Sequence, residues 1–217
     1  MLNKTWLQSK QLLRQIPMAR EAWQHTWDAS LLLRHRLRGS PVPPPHDIKL
    51  YWLRQMQRRF AATVLVETGT YYGTTVAALL DTFDQVYTIE LGEMFWQKAQ
   101  NRFAAYPHVH VLQGNSGEVL PAVIAGITER CIFWLDGHYS GAETARADKD
   151  TPILEELAAI RRHVRNDHVI LIDDARCFTG ENSYPHPTEV CLLLKEMNPS
   201  YRVRIIDDMM QAFPFRS

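Results

Sequence analysis

Short apolar runs alternate with amphipathic stretches along residues 61–217. The runs are four to six residues long and rich in β-branched residues, which favours strands, whereas the intervening stretches repeat apolar residues at helical spacing. Continuous apolar strands that alternate with helices indicate a parallel sheet covered on both faces. The pattern therefore predicts an α/β fold, a doubly wound, mostly parallel seven-stranded sheet. The predicted strands are 63–66, 86–90, 109–112, 131–136, 169–173, 201–206 and 209–213.

The first 45 residues predict a separate, basic helical extension. Apolar residues at helical spacing indicate one helix that contains Ala19 and a second that contains residues 31–33. Arginines follow at the end of the second helix, and cations are favoured at a helix C-terminus. The proline-rich segment 39–45 reads as a linker. We therefore expect an extension and linker over 1–45 and the main domain over 46–217.

The chain is neutral overall, but its charge is unevenly distributed. Residues 1–60 carry a balance of +8, and residues 61–217 carry a balance of −8. A basic segment can bind nucleic acid or an anionic membrane surface. Here apolar residues interleave with the basic ones, which favours docking of the helices on the acidic body of the same chain or of a second subunit, with a homo-oligomer as one outcome.

Composition narrows the class of protein. Hydrophobic residues make up 46% and charged residues 22%, which is typical of a globular domain. No apolar run approaches the ~18 residues that a membrane span needs, and the N-terminus lacks the pattern of a secretory signal. Three cysteines without metal-ligand spacing suit a reducing compartment. We expect a soluble cytoplasmic protein with no membrane partner.

Small or acidic residues stand at the ends of the first five predicted strands. In an open α/β sheet, ligands bind outside the carboxyl ends of the strands. A single acid at such a position often only caps a helix, but the joint pattern indicates a site. The residues are Glu67, Gly69 and Gly73 after the first strand, Glu90 after the second, Gly114, Asn115 and Ser116 after the third, Asp136 and His138 after the fourth, and Asp173 and Asp174 after the fifth.

The residues after the first two strands indicate the ligand. Gly69 and Gly73 let the backbone approach a ligand at a helix N-terminus, but they lack the Gly-x-Gly-x-x-Gly spacing of a dinucleotide site. The carboxylate of Glu67 would repel a pyrophosphate and suits an amino group. Glu90 lies 21 residues beyond Gly69, at the distance where a second-strand acid binds a ribose. The expected ligand is an adenosine that carries an amino acid.

These motifs resemble the class I methyltransferases that bind S-adenosylmethionine (SAM), and the resemblance covers about residues 46–213. It implies a Rossmann-like methyltransferase fold, in which Glu67 and Gly69 contact the amino-acid end of the cofactor, Glu90 the ribose and Ser116 the adenine side. The cofactor-binding set that we predict is Glu67, Gly69, Thr70, Gly73, Thr74, Glu90, Gly114, Asn115, Ser116 and Asp136.

The acids after the fourth and fifth strands resemble those of metal-dependent bacterial O-methyltransferases of the macrocin O-methyltransferase type. That resemblance implies that Asp136, Asp173 and Asp174 hold magnesium. Converging carboxylates repel one another without a cation, and all-oxygen ligation favours Mg²⁺, with Mn²⁺ or Ca²⁺ as alternatives. Asp136 and His138 are the predicted catalytic residues, with His138 as the general base or, alternatively, an ordinary loop histidine bonded to backbone.

Several functions remain open at this point. Magnesium-assisted O-methylation of a small hydroxylated molecule, such as a sugar or natural product, is favoured. The alternatives are a metal-independent methyltransferase acting on nitrogen or nucleic acid, a related enzyme such as a hydroxylase, and a non-catalytic cofactor-binding protein. The loops 139–150 and 175–187 are expected to select the acceptor. Arg176 in the second loop either serves an anionic or highly hydroxylated substrate or is a solvated loop charge, and the second is favoured. Tyr71 and Tyr72 either narrow the methionine pocket or pack on the next helix, and packing is favoured.

Overall fold

The computed structural model describes residues 17–137, 151–181 and 183–215, and for residues 17–25 it describes the backbone alone. The helices are α1 (Pro17–Leu37), α2 (His46–Phe60), α3 (Thr74–Leu79), α4 (Glu93–Phe103), α5 (Ser116–Ile124), α6 (Ile153–Arg161) and α7 (Pro187–Met197), with a 3-10 turn at Ala175–Cys177. The strands are β1 (Val64–Thr68), β2 (Gln85–Glu90), β3 (Val109–Gln113), β4 (Cys131–Leu135), β5 (Val169–Ile172), β6 (Tyr201–Ile206) and β7 (Met209–Pro214).

The seven strands form one sheet in the order β3-β2-β1-β4-β5-β7-β6. Strands β1 to β5 run parallel to one another, and β7 runs antiparallel to both β5 and β6. The reversal follows from the connection, because a two-residue turn at Asp207 and Asp208 can join only antiparallel strands. The predicted fold class, a doubly wound and mostly parallel seven-stranded sheet, is confirmed.

Helices cover both faces of the sheet and leave its central strands without solvent contact. Every residue of β1, β4 and β5 is buried, which explains why these strands are continuously apolar rather than alternating. One face packs against α2, α3 and α4, and the other packs against α5, α6 and α7. The core therefore lies in two layers, and the carboxyl edge between them is the place where ligand-binding loops emerge.

The predicted strand boundaries agree with the structure to within two residues. Strand β1 continues to Thr68, two residues beyond the prediction, whereas β4 ends at Leu135 and β5 at Ile172, so that Asp136 and Asp173 follow their strands. The predicted division of the extension into two helices is wrong for Ala19, which lies in the same helix, α1, as residues 31–33. None of the helices in the described parts of the chain is long and apolar enough to cross a membrane.

Helix α1 docks on the body of its own chain through charged contacts. Asp28, which is buried, accepts hydrogen bonds from Arg54 of α2 at 2.8 Å and from Arg58 at 3.1 Å. At the other end of α1, Arg36 forms a two-point ion pair with the buried carboxylate of Asp207, at 2.6 and 2.8 Å. The Arg36–Asp207 pair has the polarity that the charge pattern favours, a basic extension on an acidic body, whereas at Asp28 the acid belongs to α1 and the arginines belong to α2. The domain boundary at residues 45 and 46 stays a prediction.

Candidate functional site

Backbone hydrogen bonds continue past the strand ends and tie five loops into one edge. Each bond runs from an amide just beyond one strand to a carbonyl of its neighbour, so that the parallel register extends into the loops. The edge therefore brings together most of the sequence-predicted site residues. The bonds are Gly114 N–H to Glu90 O at 2.9 Å, Gly69 N–H to Ile89 O at 2.9 Å, Asp136 N–H to Thr68 O at 3.1 Å, and Asp173 N–H to Leu135 O at 3.0 Å.

The loop after β1 has a glycine where no other residue fits. Gly69 has φ +83°, and a Cβ there would lie 2.4 Å from the carbonyl oxygen of Asp136. Only a glycine at position 69 therefore lets the loop pass against the end of β4. The same loop is anchored by Glu90, whose carboxylate oxygens accept from the amides of Tyr71 and Gly92, both at 2.8 Å. Each of these oxygens keeps a second lone pair that can accept from a ligand hydroxyl.

Glu67 lies beneath this loop rather than on the open edge. Its side chain is buried, and its carboxyl oxygen accepts a hydrogen bond of 2.6 Å from the hydroxyl of Thr88, which lies 2.5 Å from the hydroxyl of Thr70. Burial raises the pKa of Glu67 from its usual 4.5 to about 8, although the hydrogen bonds from Thr88 and Thr75 oppose the shift. Glu67 is therefore mostly protonated at neutral pH. Its predicted contact with the cofactor stays a prediction.

The remaining predicted cofactor residues lie at the starts of α3 and α5. Thr74 is the exposed first residue of α3, after Gly73 with φ +67°. Asn115 caps α5 by accepting from the amide of Gly117 at 3.1 Å. The hydroxyl of Ser116 donates to buried Glu156 at 2.6 Å. Asn115 thus has a structural role, and its predicted contact with the cofactor stays a prediction.

The three predicted metal ligands do converge. Carboxylate oxygens of Asp136, Asp173 and Asp174 lie within 4.8 Å of one another, and we call these residues the acidic cluster. Asp173 is almost fully buried, and within the described chain its Oδ1 has no hydrogen-bond partner. Burial and the neighbouring carboxylates raise the pKa of both Asp136 and Asp173. The arrangement needs positive charge to be stable.

Lys49 of α2 supplies that charge, and the sequence reasoning missed it. Its ammonium donates to Oδ2 of Asp173 and lies 3.4 Å from Oδ1 of Asp174. Burial alone would lower the pKa of Lys49, but the attraction of Asp173 and of the other two aspartates outweighs it and raises the pKa. Lys49 is therefore charged at neutral pH. The available signal was its position three and four residues before Trp52 and Leu53, on the apolar stripe of α2.

Arg176 supplies a second positive charge beside the acidic cluster. Its guanidinium lies 2.8 Å from Oδ1 of Asp174 and also pairs with Asp208. Arg176 is an exposed loop charge, as expected, and the 3-10 turn after β5 also holds it against these two carboxylates.

A divalent ion fits the donor atoms of the acidic cluster but not its surroundings. Three carboxylates are the ligand type that Mg²⁺ prefers. The ammonium of Lys49 already occupies the space between Asp173 and Asp174, however, and a cation of charge +2 beside it would be repelled. As the residues are arranged, the ammonium of Lys49 competes with magnesium for Asp173 and Asp174.

Two further expectations concern the loops around this edge. His138 and the loop 139–150 lie outside the described residues. Tyr71 and Tyr72 pack on Phe95 of α4, with ring centroids 4.6 and 5.2 Å apart. The tyrosines thus pack on a helix, but these ring contacts are with α4 and not with α3, the next helix, on which they were expected to pack.

Comparison with known proteins supports the fold. No family model matches the chain, and no curated protein matches its sequence. Similar solved structures include an SAH-bound methyltransferase from Podospora anserina (15% identity, 100% of this chain and 97% of that one, TM-score 0.54). They also include the O-methyltransferase TomG from Streptomyces achromogenes, involved in tomaymycin synthesis and in complex with SAM (17%, 87% and 89%, 0.53). A third is an O-methyltransferase from Bacillus cereus in complex with SAH (15%, 86% and 90%, 0.52). At these identities the likeness shows the fold alone, and that fold is the α/β fold of the class I methyltransferases.

Proposed function

We propose that this chain is a SAM-dependent methyltransferase whose acceptor is a small hydroxylated molecule, such as a sugar or natural product. The observation that carries the proposal is the position of Glu90, held against the Gly69 loop at the carboxyl edge of a sheet with the methyltransferase fold. The similar structures from Streptomyces achromogenes and Bacillus cereus carry SAM and SAH, respectively, which supports the same cofactor here.

Each cofactor-side residue has a task that its surroundings suit. SAM, when bound, supplies an electrophilic methyl group on a sulfonium. The carboxylate of Glu90 accepts from ribose hydroxyls with the lone pairs that Tyr71 and Gly92 leave open. Gly69 lets the loop pack against the end of β4, which leaves room for a ligand to lie across the loop. Ser116 lies on the adenine side of the ligand. Methyl transfer then needs mainly the alignment of two held reactants.

The acidic cluster suits the acceptor side of the edge. Asp173 keeps Oδ1 without a partner among the described residues, although the side chain is almost fully buried. A buried carboxylate oxygen in this state is costly unless a donor reaches it. An acceptor hydroxyl is such a donor, and this favours a hydroxylated substrate. Magnesium assistance, which the three aspartates predicted, does not enter the proposal because Lys49 provides the positive charge.

The position of Lys49 supports a metal-independent methyltransferase. It does not support one that acts on nucleic acid. Arg36, Arg54, Arg58 and Lys49 all pair with carboxylates of their own chain, so these basic residues of the N-terminal part are engaged within the fold. We therefore propose a small-molecule acceptor. A cofactor-binding protein without catalysis is distinguished by assays of methyl transfer.

A thermal-shift comparison tests the cofactor class. SAH at about 100 times its Kd stabilises the folded state by about 2.7 kcal/mol, which corresponds to a rise in Tm of roughly 5–10 °C for a domain of this size. NAD at the same concentration is expected to leave Tm unchanged, because the spacing of Gly69 and Gly73 lacks the Gly-x-Gly-x-x-Gly pattern of a dinucleotide site. A rise with NAD and none with SAH would contradict the proposal.

A further inference from the structure

We infer that Lys49 is the resident cation of the acidic cluster and that this site operates without a divalent metal. The inference concerns the same edge as the proposed function. Its catalytic consequence, that methyl transfer is independent of metal, rests on that function, whereas the assignment of the cation does not. The same reasoning makes the acidic cluster a latent metal site, which opens when a neutral residue replaces Lys49.

Two positive side chains of the same chain face the three carboxyl groups of the acidic cluster, and one of them, Arg176, also pairs with Asp208. Asp136, Asp173 and Asp174 bring three carboxyl groups together, and Lys49 and Arg176 bring two positive charges against them. An ammonium has three donors and a compact charge, so it can bond to more than one carboxylate at once. Lys49 does so with Asp173 and Asp174. The cluster therefore already has the cation that three converging acids require.

Lys49 is held in this position by the packing of α2. The residues on either side of it, Ile48 and Leu50, are buried in the core layer beneath the sheet. One turn further along, the indole N–H of Trp52 donates to the buried carboxylate of Asp207 at 2.8 Å. These contacts fix the backbone of α2 against the sheet. Lys49 consequently reaches the acidic cluster as part of the fold, and not as a mobile surface side chain.

The pairing also shapes what is left for a substrate. Lys49 binds Oδ2 of Asp173, whereas Oδ1 of the same carboxylate has no partner in the described chain. The lysine thus neutralises and orients Asp173 while it leaves one oxygen for a hydroxyl donor. A metal ion at this place would compete with Lys49 for the carboxylate. We assign Lys49 as the positioning residue of this carboxylate.

Titration with Mn²⁺ tests the assignment without any enzyme assay. Binding is measured as the loss of the electron paramagnetic resonance signal of the free aquo ion. The full-length wild-type protein is expected to leave the signal unchanged. K49M keeps the length of the side chain and removes its charge, and it is expected to bind Mn²⁺ roughly 100-fold or more tightly than the wild type does, because the repulsion from the ammonium is gone. K49R keeps the charge and serves as the matched control, with no binding expected. The double variant K49M/D173N is expected to lose the binding that K49M gains.

Two results would overturn the inference. One is Mn²⁺ binding by the wild type that D173N abolishes, and the other is a folded K49M that binds no Mn²⁺. If K49M does not fold, K49Q takes its place, and if neither folds, the wild-type titration with the D173N comparison decides. A parallel titration of SAH in excess EDTA separates the two proposals: absence of SAH binding refutes the proposed function, whereas the manganese results alone decide the role of Lys49.

Discussion

Replacement of Glu67 by glutamine is expected to make the protein more stable at neutral pH. Glu67 is buried, and burial raises its pKa from 4.5 to about 8. In the unfolded chain the carboxyl group ionises above its usual pKa, whereas in the folded chain it keeps its proton up to about pH 8. The free energy of unfolding therefore falls as pH rises between these two values. Each pH unit in this range costs about 1.4 kcal/mol, so the cost reaches roughly 3 kcal/mol at about pH 7.

Urea unfolding of wild type and E67Q across this pH range measures the effect. Glutamine has nearly the same shape, can still accept from Thr88, and does not titrate. The difference between the two free energies of unfolding is expected to grow in favour of E67Q by about 3 kcal/mol from pH 4.5 to pH 7. Glu189 is exposed on α7, and E189Q is the matched control with no such trend expected. A difference that stays constant across this range would refute the reasoning.

Two further predictions concern buried groups away from the edge. His168 is buried and its pKa is lowered to about 3, chiefly by burial, so the unfolded state binds a proton first as pH falls below 6.5. We expect the free energy of unfolding to fall by about 2 kcal/mol between pH 6.5 and pH 5. In H168N this fall is expected to vanish, and the amide oxygen of asparagine can accept from the amide of Cys131 as the ring nitrogen does. Asp207 accepts from Arg36 and Trp52 with its side chain fully buried. D207N is expected to lower the free energy of unfolding in urea by about 2–4 kcal/mol, because it leaves Arg36 without its carboxylate. Asparagine tolerates the positive φ of this residue, so the backbone adds no cost. A loss below ~1 kcal/mol would show that the pair contributes little.

The fold could be read from the sequence because its signals are local and repeated. Apolar runs of strand length, helices between them and acids at the strand ends all depend on neighbours within a few residues. The place of β7 between β5 and β6 was less accessible, since the sequence does not show which strand lies beside β5. Helix α1 was divided wrongly because its pattern does not show where one helix ends and the next begins.

The site was only partly predictable, because its electrostatics depend on contacts that are distant in sequence. Lys49 and Asp173 are separated by 124 residues, and nothing in the pattern around either residue indicates the other. The convergence of Asp136, Asp173 and Asp174 followed from strand topology, but the identity of their cation did not. Similarly, Glu67 was expected to be a carboxylate on the edge, and the structure buries it beside Thr88, where it is mostly neutral.

Calorimetric titration of SAH into the wild type and E90Q tests the central proposal most directly. The wild type is expected to bind with a Kd on the order of 1 μM. E90Q, which removes the charge that accepts the ribose hydroxyls, is expected to bind about 10- to 100-fold more weakly. E93Q, at an exposed residue of the first turn of α4, is the control with unchanged affinity. Wild-type protein that binds no SAH would contradict the assignment as a methyltransferase, and equal affinity of E90Q and wild type would contradict the role of Glu90.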